Sequence, residues 1–286
     1  MTKERRYITI SGKDSLAMAV VQQVNHPELS YTYLFSDTGA ELPETYQWLA
    51  DIEEKMGWKI ERVGRSIEET IRKDGALPSP LRRWCTEKMK IRPMKKFFDS
   101  GIAHVYLGIR ADEKTRVFPF EKNTRQTQII RHYPLVDAGI DQRGVWAILD
   151  GLQLLPPTFF WQQLWDAVNN RLNRGWSDTL SSTEKHLLFS GRTRSNCYFC
   201  FYQRHYEWIW LADTHPELFE NAVELENLNG RGFTWIKDKP LTKLIQDRDR
   251  IFERRVQEVI EYINNRGAIF TDTEIANTSC GMMCGK

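Results

Sequence analysis

The sequence predicts an α/β protein: a doubly wound, mostly parallel sheet over residues 1–140, with a mostly helical, cysteine-bearing region appended over 141–286. Three observations predict it. Short β-branched and aromatic runs alternate with helical stretches over the first 110 residues, the order that parallel βαβ units impose. A loop of small and polar residues, Ser11-Gly12-Lys13-Asp14-Ser15, separates the first such run from the first helix. Beyond about residue 137 the strand signal stops, and Trp and Phe gather in helical stretches.

The elements follow in order. Residues 5–10 are the first strand, and residues 16–21, with good helix formers in Leu16, Ala17, Met18 and Ala19, open the first helix. Residues 31–36 are the second strand, ending at Asp37-Thr38-Gly39. Pro43 opens a helix with apolar side chains at Tyr46, Leu49, Ile52 and Met56, and Gly57 closes it. Residues 58–63 and 104–109 supply the third and fourth strands. Residues 150–161, carrying Pro156-Pro157, read as a packed connection. Residues 158–190 and 203–228 read as helical, and 250–265 as an amphipathic helix ended by Arg266-Gly267. Arg248, Arg250, Arg254 and Arg255 alternate there with Asp247, Asp249 and Glu253, which predicts a self-paired surface.

Composition narrows the class. The chain has 286 residues, 41% hydrophobic and 27% charged, which excludes disordered and low-complexity proteins. Forty Lys and Arg against 38 Asp and Glu leave a net charge of +2, too balanced to mark a nucleic-acid binder by total charge. No apolar run reaches the roughly 18 residues of a membrane helix, and no signal-peptide core follows Met1, so a cytoplasmic protein is expected. Five cysteines, at 85, 197, 200, 280 and 284, include one C-x-x-C pair. That pattern points to metal or redox chemistry rather than a disulfide framework.

A Ser-Gly-Lys-Asp-Ser loop between strand and helix has a physical use. Gly12 would let the backbone turn tightly, and N–H groups at a helix N-terminus would converge on phosphate oxygens. Ser11 and Ser15 would add hydroxyl donors and Lys13 a point charge. Asp14 suits a nucleotide-borne Mg²⁺ or a helix cap. A plain βα turn is the alternative for the loop alone, and the longer Walker A pattern is absent.

This loop and the stretch Leu34-Phe35-Ser36-Asp37-Thr38-Gly39-Ala40-Glu41-Leu42-Pro43-Glu44-Thr45-Tyr46 resemble the PP-loop ATP-pyrophosphatases, specifically the phosphoadenosine-phosphosulfate-reductase-like family. Three further stretches match in order: Arg83-Trp84-Cys85-Thr86-Glu87-Lys88-Met89-Lys90-Ile91, then Gly108-Ile109-Arg110-Ala111-Asp112-Glu113-Lys114-Thr115-Arg116, then Gly191-Arg192-Thr193-Arg194-Ser195-Asn196-Cys197-Tyr198-Phe199-Cys200. The sequence departs from the family in having one glycine before Lys13 instead of two, and in an insertion-like stretch at roughly 140–190.

The resemblance implies an adenine nucleotide alpha-hydrolase-like sheet and assigns roles. Ser11, Gly12, Lys13, Asp14 and Ser15 would hold nucleotide phosphates, and Asp37, Thr38 and Gly39 the adenosine side. Arg110 and Arg116 would fork onto phosphate or sulfate oxygens, and Lys13, Asp14 and Arg110 would be catalytic with ATP and Mg²⁺. Cys197 and Cys200 can reach one metal, with Cys85 and Cys284 completing four thiolates and Cys280 the rival fourth ligand. The family favours a 4Fe–4S cluster over zinc. Cys280-Gly281 is similar to the nucleophilic tail cysteine of the family's reductases.

Seven basic residues, Arg82, Arg83, Lys88, Lys90, Arg92, Lys95 and Lys96, stand against one acid, Glu87, with Trp84 among them. They would track a phosphate backbone or form a solvated helix face that steers an anionic nucleotide. The function implied is an ATP pyrophosphatase that adenylates an acceptor for sulfur incorporation, similar to the ATP-pyrophosphatase subunit of DNA phosphorothioation systems. A cysteine desulfurase would be its partner, DNA the acceptor and tRNA a second candidate, with an oligomer allowed. The alternatives are a thiol-dependent reductase of adenylyl sulfate nucleotides and a nucleotide-binding scaffold with structural zinc.

Overall fold

The computed structural model describes residues 4–98, 101–117, 122–123, 127–157, 159–228 and 232–265. They form two compact units, one of residues 4–66 and 84–157, the other of 67–83 and 159–265. The boundary expected at 140/141 lies inside the first unit, and the chain passes into the second unit early, at residue 67, before returning.

In the first unit the chain runs β1 (Glu4–Thr9), α1 (Lys13–Asn25), β2 (Thr32–Asp37), α2 (Pro43–Met56) and β3 (Ile60–Gly64). After α3 (Ile67–Asp74), which belongs to the second unit, come a π-helical turn Thr86–Ile91, a short α4 (Arg92–Lys95) and β4 (Gly101–Tyr106). A 3₁₀ turn Ala111–Arg116, β5 (Lys122–Asn123), β6 (Thr127–His132), α5 (Pro134–Asp137) and α6 (Gln142–Gly151) complete it. The sheet order is β3-β2-β1-β4-β6-β5. The first five strands are parallel, and β5 is a short antiparallel edge. Central β1 sets the register, with Tyr7 opposite Thr32 of β2 and Val105 of β4.

Both faces of the sheet are covered, as a parallel sheet requires. Alternate residues divide between the two sides. Ile8 and Phe35 join the cluster built with Leu16, Met18 and Val20 of α1, Leu49 and Ile52 of α2, and Val145 and Leu149 of α6. Tyr7 and Leu34 pack on the other side with Ala103 and with Met94 of α4. The ends of α2 are those expected: Pro43 in its first turn, and Gly57 at φ +65°, the left-handed conformation that favours glycine, at its close.

Three expectations are corrected. The fourth strand is Gly101–Tyr106, not 104–109: at Leu107 the chain leaves the ladder, and Gly108 turns it against the start of α1. Helix α1 begins at Lys13 rather than Leu16, because Ser15 closes its first turn. Strand β6 carries no clear alternation in sequence and was not foreseen.

The second unit is helical: α3, α7 (Gln162–Asn169), a 3₁₀ turn Trp176–Thr179, α8 (Ser182–Leu188), α9 (His205–Thr214), α10 (Pro216–Asn227), α11 (Leu241–Gln246) and α12 (Arg248–Asn264). Trp161, Trp208, Trp210, Phe189 and Phe199 are fully buried and form its core. The expected helical stretch 158–190 is interrupted at Gly175, φ +87°, and restarts at Ser181, whose Oγ accepts from the Glu184 N–H while the Glu184 carboxylate accepts from the Ser181 N–H. The arginines near the start of α12 pair more widely than predicted. Arg250 meets Asp247 and Arg254 meets Glu258, but Arg248 reaches Asp213 and Glu253 reaches back to Arg171. Arg255 is buried and donates to the Leu188 carbonyl at 2.9 Å. Among the described residues no helix is long and apolar enough to cross a membrane.

Burial on α8 pushes His186 from 6.5 down to about 4. The unfolded chain therefore takes up a proton between about pH 6.5 and pH 4 that the folded chain refuses. Stability falls with acidification across that window, by up to about 3 kcal/mol. Urea denaturation at about pH 7 and about pH 5 tests this. His186→Leu should flatten the pH dependence, and an unchanged slope in the variant would refute the assignment.

Candidate functional site

Strand order places the site. From β1 the chain moves outward to β2 and β3 on one side and returns to β4 on the other, so the carboxyl ends of β1 and β4 flank a topological switch point. Open α/β sheets bind ligands there. Residues 11–15 follow β1, and residues 107–116 follow β4.

The loop after β1 is held by its last residue. Ser15 Oγ accepts from the N–H groups of Ser11, at 2.8 Å, and Gly12, at 3.1 Å, and donates to the Gly12 carbonyl at 2.8 Å. Ser15 is buried. Its hydroxyl, expected from the sequence as a phosphate donor, is here engaged within the loop. Gly12 is corrected: its φ of 167° and ψ of −172° are extended backbone, not a tight turn. A Cβ there would meet nothing within 4 Å, so open space lies over the loop at the N-terminus of α1. The N–H groups of a first helical turn have no intrahelical acceptors, and the helix dipole favours an anion in front of them.

Asp14 sits between two cations. Lys13 Nζ lies 2.8 Å from Oδ1, and Arg110 Nη1 lies 3.2 Å from Oδ2. Arg110 is 4% exposed and also forks onto Asp112, with Nε 3.0 Å from Oδ1 and Nη2 2.8 Å from Oδ2. Burial alone would depress its pKa, but the Asp112 hydrogen bond and the charges of Asp14, Glu113 and Asp112 outweigh that and hold it above the usual range. Burial likewise opposes ionisation of Asp112, and the Arg110 hydrogen bond and charge win, so its carboxyl lies below its ordinary value. Glu113 is buried and accepts from Arg116 Nη1 at 2.7 Å, while its Oε2 finds no partner among the described residues. Lys13, Asp14, Arg110 and Arg116 are therefore brought into one network. Asp112 and Glu113, to which the sequence reading gave no role, orient its arginines; their signal was two acids directly after Arg110.

The loop after β2 is tied inward. Asp37 Oδ1 accepts from the Gly39 N–H at 2.9 Å and from the Tyr46 hydroxyl at 2.8 Å. Thr38 is buried and donates its hydroxyl to Glu41 Oε1 at 2.8 Å, so its side chain serves the loop and does not face outward. Burial raises the Glu41 carboxyl above its ordinary value, against the Thr38 hydrogen bond and the Lys90 charge. Gly39, at φ +69°, is the exposed tip. Glu41 and Tyr46 are again residues without an assigned role in sequence.

The cysteines divide. Cys85 belongs to the first unit, just before the π-helical turn; Cys197 and Cys200 belong to the second; Cys280 and Cys284 lie outside the described residues. The turn carrying the pair is closed by the Cys200 N–H donating to the Cys197 carbonyl at 3.0 Å. Before it, Gly191 presses on the Trp210 indole, where a Cβ would lie 2.0 Å from ring carbons. Among the described residues no three His, Cys, Asp or Glu side chains gather as metal ligands. In the basic segment, Arg92 and Lys95 flank Glu87 at 3.2 and 4.0 Å, and Lys88 lies over the Trp84 ring.

A parallel sheet with charged loops at its switch point defines the class, an open α/β nucleotide-binding domain. Residues 6–163, more than half of the chain, match the model of the phosphoadenosine phosphosulfate reductase domain. The chain belongs to that family. It is similar to two uncharacterized proteins of Methanocaldococcus jannaschii. MJ0066 is 33% identical over 106 residues, 36% of this chain and 22% of the relative. MJ0973 is 24% identical over 256 residues, 84% of this chain and 54% of the relative. The chain thus spans about half or less of the length of these curated relatives. A crystal structure of phosphoadenylyl-sulfate reductase from Candida auris, in a phosphate complex, aligns with a TM-score of 0.38 at 18% identity, over 54% of this chain and 74% of that one.

Proposed function

We propose that the protein is an ATP pyrophosphatase that adenylates an acceptor and so prepares it for sulfur incorporation. The observation that carries this reading is Asp14, a carboxylate at the N-terminus of α1 between Lys13 and Arg110. A site that only holds a preformed nucleotide anion can use a carboxylate to aim its cations, as Asp112 and Glu113 aim the arginines, but a carboxylate in front of the helix N-terminus repels a bare phosphate. A site that handles a nucleotide with a divalent cation gains from one, because Mg²⁺ takes one or two carboxylates together with phosphates and water. Asp14 fits that donor set, and the ion would supply charge neutralisation on the departing pyrophosphate.

The chain's own residues then divide the work. Phosphate oxygens entering the open space over Gly12 would draw Lys13 and Arg110 away from Asp14, freeing its oxygens. Asp112 and Glu113 would keep Arg110 and Arg116 aimed while that exchange happens. An acceptor oxygen attacks the α-phosphorus, the bond to pyrophosphate breaks, and the acceptor carries AMP. The outer sulfur of a persulfide supplied by a cysteine desulfurase then displaces AMP, and a second thiol cleaves the resulting disulfide, leaving the sulfur on the acceptor and a disulfide on the two thiols. The exposed Arg92 and Lys95 support a DNA backbone as acceptor, with tRNA the rival. Cys197 and Cys200 would supply two thiolates to a 4Fe–4S cluster or zinc.

The test is anaerobic incubation of the protein with ATP and MgCl₂, with and without DNA, tRNA and a cysteine desulfurase, following AMP and pyrophosphate. Release should fall by at least about 100-fold in Asp14→Asn. Absence of pyrophosphate release with every acceptor, together with sulfite formation from phosphoadenylyl sulfate, would overturn this reading in favour of the reductase, with Cys280 as its nucleophile.

A further inference from the structure

The turn that carries Cys197 and Cys200 is rich in buried donors that find no partner among the described residues. Arg192 is 2% exposed. Its Nη2 donates to Asn196 Oδ1 at 2.6 Å, to the Asn196 carbonyl at 3.1 Å and to the Cys197 carbonyl at 3.0 Å. Its Nε and Nη1 find no hydrogen-bond partner among the described residues. The same is true of Nε and Nη1 of Arg194, Nδ2 of Asn196 and Nε2 of Gln203. Those six donor nitrogens lie within residues 192–203, against one unsatisfied acceptor there, Gln203 Oε1.

The buried carboxylate of Glu207 takes its hydrogen bonds from other groups. Glu207 is buried and already accepts from the Thr193 N–H and hydroxyl, each at 2.7 Å, and from the Arg204 N–H at 2.8 Å. A buried donor left unmet is destabilising, and a buried guanidinium needs opposing charge close by; the Glu207 charge acts on Arg192 but no hydrogen bond joins them among the described residues. The arrangement therefore calls for a group that is anionic and accepts several hydrogen bonds at once. A metal held by thiolates has both properties, since a tetrathiolate zinc or 4Fe–4S centre is formally dianionic and its sulfur atoms accept N–H donors. Two cysteines in the same turn, spaced to reach one metal, favour that group over a free oxyanion.

We propose that Arg192 and Arg194, with the side-chain amides of Asn196 and Gln203, form the outer donor set of a sulfur-ligated metal centre built on Cys197 and Cys200, with Arg192 as its buried counter-charge. This assignment rests on the metal reading of those two cysteines and names the positioning residues of that centre. In this assignment Arg192 does not touch the metal; it fixes the Cys197 side of the turn through its Nη2 contacts, and its Nε and Nη1 are the donors left for the sulfur atoms.

The test uses the full chain, stripped of metal and titrated anaerobically with Co²⁺, reading the thiolate-to-cobalt charge-transfer band. Wild type should show the band, and Cys197→Ser should lose it. Arg192→Leu should weaken Co²⁺ binding by about 10–100-fold, with Arg192→Lys recovering part of the loss. After reconstitution with iron and sulfide, Arg192→Leu should also shift the midpoint potential to more negative values. Arg194→Gln, at a partly exposed position, carries the same test if Arg192→Leu does not fold. A wild type without the band overturns the metal reading and this assignment with it. A wild type with the band, and arginine variants that bind and absorb identically, overturns this assignment alone. Phosphate binding by the metal-free protein that Arg192→Leu abolishes, with Co²⁺ binding unchanged, would make the turn an oxyanion site and overturn it equally.

Discussion

Arg110→Met is expected to destabilise the parallel-sheet unit by about 2–3 kcal/mol and to abolish nucleotide binding. Methionine keeps most of the stem and none of the charge. What remains is a cluster of carboxylates, buried at Glu113 and partly exposed at Asp14 and Asp112, without its buried central cation: Asp112 loses a two-point fork, Asp14 keeps only Lys13, and Glu113 keeps only Arg116. Removing the one cation that three carboxylates share is more damaging than replacing the whole network, because the like charges are left facing one another. Arg110→Lys restores charge but not the fork, and so should recover part of the stability and less of the binding. The loss should also narrow in acid. Asp112 has a folded pKa below its ordinary value near 4, so its contribution is fully present above that value and disappears as pH falls through the folded pKa. Urea denaturation of wild type and both variants, near neutrality and near pH 3, together with ATP titration calorimetry, reads all of this. A Met variant within about 1 kcal/mol of wild type would mean that water or rearrangement repairs the cluster.

How much of this network could be read in the sequence depends on the kind of signal each residue carries. The Ser11–Ser15 motif and Arg110 stand out because charge beside glycine at a strand end is unusual, and alternating runs placed β1 to β3 to within a few residues. What a linear pattern does not carry is which way a side chain turns. Ser15 and Ser11 look equivalent as hydroxyl donors, yet one closes the loop on itself. Thr38 looks like a ligand contact and is buried against Glu41. Strand β6, Thr127–His132, gave no alternation because its described side chains, Ile129 to His132, are all only partly buried, so neither of its faces carries a clean apolar or polar period. Arg192 was visible only as a member of a family-like block. Its meaning lies in unmet donors, a property of burial that composition does not report.

Gly108→Ala should disable the site from outside it. A Cβ at position 108 would lie 2.7 Å from both Cα and N of Ser15 and 2.8 Å from the carbonyl carbon of Asp14, and all three are backbone atoms. No side chain can swing aside, so either α1 or the segment after β4 must move. Overpacking of this kind costs about 1–3 kcal/mol. The larger effect is geometric. The residues on the two sides of that contact are Asp14 and Arg110, whose charged atoms meet at 3.2 Å. A displacement of about 1 Å between reacting groups is enough to lose about 100-fold in rate. ATP cleavage should therefore fall by that order while the chain stays folded at moderate temperature. Gly12→Ala is the control, because its Cβ enters open space and should leave stability unchanged. Parallel urea melts and pyrophosphate-release assays on both variants separate the two roles. If Gly108→Ala retains wild-type stability and turnover, the packing of β4 against α1 is softer than the backbone contacts imply, and the spacing between Asp14 and Arg110 is set by something other than the absence of a side chain at 108.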